Sequence, residues 1–71
     1  MSTYEWYIIQ VGRLYLIGKP YDDSDLIRFS QSVWDGCRFK NFDTAIRVAR
    51  RFDGRVIRFN SITGRTEGGW K

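Results

Sequence analysis

Trp6, Tyr7, Ile8 and Ile9 place four bulky side chains in succession inside the run Tyr4-Glu5-Trp6-Tyr7-Ile8-Ile9-Gln10-Val11. Aromatic and β-branched residues favour strands. Successive strand side chains point to opposite faces. This strand therefore carries Trp6 and Ile8 on one face and Tyr7 and Ile9 on the other, and both faces ask for cover. A chain of 71 residues has little material to supply it. A domain this small buries only about 60% of the surface its unfolded chain exposes. Aromatic residues make up 17% of the chain, and each large ring brings ~150–250 Å² to a core.

The remaining elements follow from local signals. Gly12-Arg13 breaks the run, and Leu14-Tyr15-Leu16-Ile17 resumes it, which reads as a hairpin with Gly12 at positive φ. Lys19 to Ser24 is a loop around the only proline, and Leu26-Ile27-Arg28-Phe29 reads as a third strand. Asp35-Gly36 reads as a turn, and Arg38-Phe39-Lys40 as a short extended lead-in. Asn41 is a helix cap, with Asp43 in the first turn. Phe42, Ala45, Ile46, Ala49 and Phe52 recur as one helical stripe. Gly54 is expected to stop the helix as a left-handed residue. Arg55-Val56-Ile57-Arg58-Phe59 resumes as a strand with Ile57 and Phe59 on one face.

The expected fold class is α+β: a single antiparallel sheet, β-β-β-α-β, packed on one face by one amphipathic helix. Residues 1–71 form one domain, and approximately 60–71 form either a loosely ordered tail or a terminal hairpin. One helix covers one sheet face. The other is either capped by the tail through Ile62 and Trp70, or left partly exposed as an interaction surface.

Charge is divided along the chain. Residues 1–37 hold three basic and five acidic side chains; residues 38–71 hold nine basic and three acidic. Nine of the twelve basic residues are arginine, the better fork for phosphate and carboxylate. Thr44, Arg47, Arg50 and Arg51 lie opposite the helix stripe, and Arg55 and Arg58 continue into the next strand. The expected partner-binding patch is Arg47, Arg50, Arg51, Arg55 and Arg58, with Tyr7, Tyr15 and Trp34 as aromatic anchors.

Chemistry finds little support. The chain has no histidine, which removes the commonest general base and metal ligand. Cys37 stands beside Arg38, a neighbour that lowers a thiol pKa, yet with no base to activate it the residue reads as a small buried hydrophobe. Asp22-Asp23-Ser24-Asp25 lacks the glycine and terminal glutamate of an EF-hand loop. The Gly64 to Gly69 stretch lacks the Gly-Lys-Ser/Thr ending of a phosphate loop. No catalytic residue, metal ligand or cofactor is assigned, and the expectation is no enzyme. No run is long enough to span a bilayer, and no secretory leader is read at the N-terminus. With one cysteine, the expected compartment is the cytoplasm.

Trp6-Tyr7-Ile8-Ile9-Gln10-Val11, Arg38-Phe39-Lys40-Asn41-Phe42-Asp43-Thr44-Ala45, then Ala49 and Gly54-Arg55-Val56-Ile57-Arg58 form a layout that resembles small phage and prophage proteins of unknown function. The helix-glycine-strand part is similar to certain small anti-CRISPR proteins. The resemblance covers about two-thirds of the chain through generic packing signals. It implies a phage-encoded inhibitor or modulator that occludes a surface of a host protein or nucleoprotein complex. The basic charge departs from the acidic mimics of nucleic acid among such inhibitors. Two other expectations stand beside it: nonspecific DNA or RNA binding through the basic helix face, and a homo-oligomer that buries its spare sheet face against itself.

Overall fold

A computed structural model describes residues 4–18 and 27–71. The proline loop and the Asp22-Asp23-Ser24-Asp25 cluster lie outside the described residues. The strands are β1 (Glu5–Val11), β2 (Leu14–Gly18), β3 (Ile27–Ser30), β4 (Arg55–Asn60) and β5 (Thr66–Trp70); the helix is α1 (Phe42–Arg51). They form one antiparallel sheet in the order β3-β2-β1-β4-β5 with α1 across it, an α+β fold. Residues 66–70 pair along β4 as a fifth strand, beyond the β-β-β-α-β order that the local signals give.

β1 is the middle strand and is sheathed on both faces: Ile8 and Ile9, adjacent in sequence, are both fully buried. Each such side chain contributes about 1.5–3 kcal/mol. On the helix side Ile9 packs with Leu16, Phe39, Ala45, Val48, Ala49 and Val56. Val48 joins the buried helix face, which makes the apolar stripe wider than the Phe42–Phe52 series alone. On the opposite side Ile8 packs with Ile57 and Phe59. The cover there is a short 3₁₀ turn, Val33–Asp35, and not the chain's end. Gly36 closes that turn so tightly on Ile8 that a Cβ would sit 2.7 Å from Ile8 Cγ2.

β1 and β2 pair beside their turn at Gln10 with Tyr15 and Val11 with Leu14, with Gly12 at φ 63°. Farther out, residues 37–39 occupy the gap between them. Cys37 N–H donates to the Leu16 carbonyl at 2.8 Å, and Tyr7 and Phe39 exchange two backbone bonds at 2.8 and 2.9 Å. This lead-in seats Phe39 in the core and delivers the chain to the helix.

The helix begins where Asn41 Oδ1 accepts hydrogen bonds from the Asp43 and Thr44 amides at 2.8 and 3.4 Å. It ends in a Schellman motif: Gly54 N–H donates to the Ala49 carbonyl and Asp53 N–H to that of Arg50. The left-handed residue is Asp53, at φ 54°, and not Gly54. Gly54 is required for a different reason, since a Cβ there would meet the Gln10 carbonyl oxygen and Val11 Cγ2, each at 2.9 Å.

Asn60 Oδ1 accepts from the Ile62 and Thr63 amides, which organises the turn between β4 and β5. Val56 pairs with Trp70 and Arg58 with Glu67, so β5 spends one more residue than β4 over the same stretch. This bulge reverses the alternation and turns Trp70 from the Ile57 face to the helix face. There its ring meets Tyr7 and Phe42, at centroid distances of 6.4 and 5.6 Å. Ile62, the other residue considered as a cover for the second face, is 73% exposed. Gly68 has φ 81°, and a Cβ on it would lie 2.3 Å from the Trp70 ring. The Gly68→Ala variant is therefore expected to lose about 1–3 kcal/mol of unfolding free energy, seen as a lower urea midpoint. An unchanged midpoint contradicts this seating of β5.

Candidate functional site

The outer face of α1 presents Thr44, Arg47, Arg50 and Arg51, all exposed. The spacing i, i+3 and i+4 sets them on one side of the helix, away from the buried Ala45, Val48 and Ala49. Thr44, Arg47, Val48 and Arg51 line an open groove of about 270 Å³. Among the described residues, no carboxylate lies within ion-pair distance of Arg47 or Arg50. Arg51 is engaged elsewhere, with its guanidinium also 5.9 Å from the Phe52 ring. Arg50 and Arg51 fall in the last turn, where positive charge faces the negative end of the helix dipole.

The other residues of the expected patch do not join this face. Arg58 points to the helix side of the sheet, where it is bound by two carboxylates. Its Nη2 donates to Glu67, and its Nε lies 3.6 Å from Glu5. The Glu67 hydrogen bond, reinforced by the two negative charges, raises the Arg58 pKa above its ordinary value. Arg58 closes the β4–β5 hairpin onto β1 and is committed within the fold. Arg55 is three residues away on the same strand and therefore on the opposite face, beside Gly69. Tyr7 is half-buried, edge-on to Phe42 at 5.5 Å, and belongs to the helix-side core. Tyr15 packs against the Ile8 cluster on the far side. Trp34 is on that side too, edge-on to Phe59 at 4.8 Å and 54% exposed. The structure thus keeps Arg47, Arg50 and Arg51 together and distributes Arg55, Arg58, Tyr7, Tyr15 and Trp34 elsewhere.

Alternation along β4 already separates Arg55 from Arg58, so that division was readable in sequence. Arg38 and Trp6 form a pair that no local pattern announces. The guanidinium of Arg38 lies over the Trp6 ring, 4.4 Å from its centroid. Partial burial raises the pKa of the adjacent Cys37, against the lowering expected from Arg38.

Among the described residues, no group of three or more His, Cys, Asp or Glu is placed to hold a metal ion. No helix among them is long and apolar enough to cross a membrane. No family model, curated protein or solved structure matches this chain.

The thiolate is the reactive form of cysteine, and a raised pKa reduces its fraction at any given pH below that value. Cys37 should therefore react with iodoacetamide several-fold more slowly in the folded protein near neutral pH than in urea. Faster reaction in the folded state contradicts the burial of the thiol.

Proposed function

We propose that this protein is a non-enzymatic binding protein that lays the outer face of α1 on an acidic surface of a protein or nucleoprotein complex and blocks access to it. The observation that carries the reading is Arg47 and Arg50, held exposed on a capped helix beside the groove of Thr44, Val48 and Arg51. A helix docked onto a sheet fixes the Cα and Cβ positions from which its arginines extend, so no backbone order has to be created on binding. Arginine is favoured at interface hot spots because its planar fork matches carboxylates. Beneath it Ala45 and Ala49 are fully buried with Ile9 and Val56, which seats the helix on the sheet.

The resemblance of the sequence layout to small phage proteins, and of its helix-glycine-strand part to anti-CRISPR proteins, suggests a phage-encoded inhibitor or modulator as the biological form of this activity. Nine basic against three acidic side chains in residues 38–71 favour capture of an acidic surface over imitation of nucleic acid. The chain has no histidine and burial raises the Cys37 pKa, both of which weigh against nucleophilic catalysis.

Affinity capture from host lysate treated with nuclease tests the reading, using the wild type and an Arg47→Glu/Arg50→Glu variant that keeps the native circular dichroism. A hot-spot arginine contributes about 2 kcal/mol or more, so the partner should bind the variant at least ~30-fold more weakly. A partner retained equally by the variant overturns the reading. Binding that disappears with nuclease and weakens steeply with salt would assign the same arginines to nucleic acid instead.

A further inference from the structure

The sheet face opposite the helix carries a second group of side chains that the helix-face reading leaves unused. Trp6 and Trp34 both rest on the buried Phe59 ring, at centroid distances of 5.7 and 4.8 Å. Phe59 has no exposure at all, so the two indoles are supported from beneath by the core. Arg38 lies over Trp6, and Arg55 stands on the same face of β4 as Phe59, four residues or about 13 Å along the strand. The strand carboxylates Glu5 and Glu67 are on the other face, held by Arg58. On this face Asp35 accepts a hydrogen bond from Ser30 Oγ at 3.1 Å.

We infer that this face binds single-stranded nucleic acid, with bases stacking on Trp34 and on the Arg38–Trp6 pair and the backbone phosphates meeting Arg38 and Arg55. Two requirements of such a ligand are met together. Unpaired bases need π surfaces or guanidinium planes to stack on, and a strand backbone needs cations that its path can follow. An acidic peptide needs the arginines alone, whereas unpaired bases use the indole faces as well. A duplex hides the faces of its bases. Stacking is tolerant of sequence because every base has a π face, so the expected binding is not sequence-specific. The arginines of α1 are on the other side of the sheet, which makes this site independent of the helix-face reading.

The test is fluorescence anisotropy with labelled single-stranded DNA and RNA of about 12 nucleotides and with duplex DNA of equal length, at about 50 and 200 mM salt. Four proteins are compared: wild type, Trp34→Ala, Arg38→Gln and Arg47→Glu/Arg50→Glu, each checked for native circular dichroism. Single strands should bind more tightly than the duplex and quench the tryptophan emission. Trp34→Ala should weaken binding about 5-fold or more, the equivalent of one lost stacking contact. Arg38→Gln should weaken it and reduce the salt slope by about 0.7. The helix variant should bind the strands as the wild type does. Absence of binding at low salt, preference for the duplex, or a folded Arg38→Gln variant with unaltered affinity and slope overturns the inference. Loss of strand binding only in the helix variant also overturns it, and moves the activity to α1. If Trp34→Ala fails to fold, Arg38→Gln alone decides, since its side chain is exposed.

Discussion

Two adjacent isoleucines on the middle strand govern the rest of the molecule. Ile8 and Ile9 point to opposite faces and both lose all contact with solvent. A single helix can satisfy only one of them. The chain meets the second demand with four residues, Val33 to Gly36, folded down onto Ile8. The arrangement is economical because Gly36 has no side chain to hold the turn away from the sheet. Phe59 on the same face is covered by Trp6 and Trp34. What lies outside these two covers is the surface left for function.

That surface has two cationic regions rather than one. The helix displays Arg47, Arg50 and Arg51 on its outer side. The opposite sheet face displays Arg38 and Arg55 around a pair of indoles. Arg58, central to a contiguous patch in sequence, is paired with Glu67 and Glu5 at the surface on the helix side of the sheet. Its two carboxylate partners stand on β1 and β5, so the ion pairs link the middle strand to the strand that carries Trp70. A basic excess read along a chain is thus distributed by strand alternation and consumed by ion pairs before any partner is met.

The legible parts of the fold were those whose signals are local. Asn41 caps the helix with its own side chain, Gly12 turns the hairpin, and Ile57 and Phe59 alternate together on β4. The α+β sheet with its helix across one face followed from those periodicities. The illegible parts depend on long-range contacts. Nothing in Ser32-Val33-Trp34-Asp35-Gly36 has a period that announces a lid for Ile8. The pair Gly68-Gly69 looks like slack chain because a bulge carries no apolar pattern, yet it is the device that reverses the face of Trp70. The helix stop was placed correctly in sequence but assigned to the wrong residue: Asp53 takes the left-handed conformation, and Gly54 is small because β1 passes close by. In the site, charge was read as continuous where strand geometry divides it, and the stacking of Arg38 on Trp6, thirty-two positions apart, had no local signal.

Nuclear Overhauser contacts across the second sheet face test most directly the claim that Val33 to Gly36 and the two indoles cover it. The expected result is contacts from Gly36 and Val33 to the Ile8 methyl groups, from Trp34 to the Phe59 ring, and from Trp70 to Tyr7 and Phe42. Contacts from Trp70 to Ile57 or Phe59, with none between Gly36 and Ile8, would mean that the chain's end covers this face and would contradict the account.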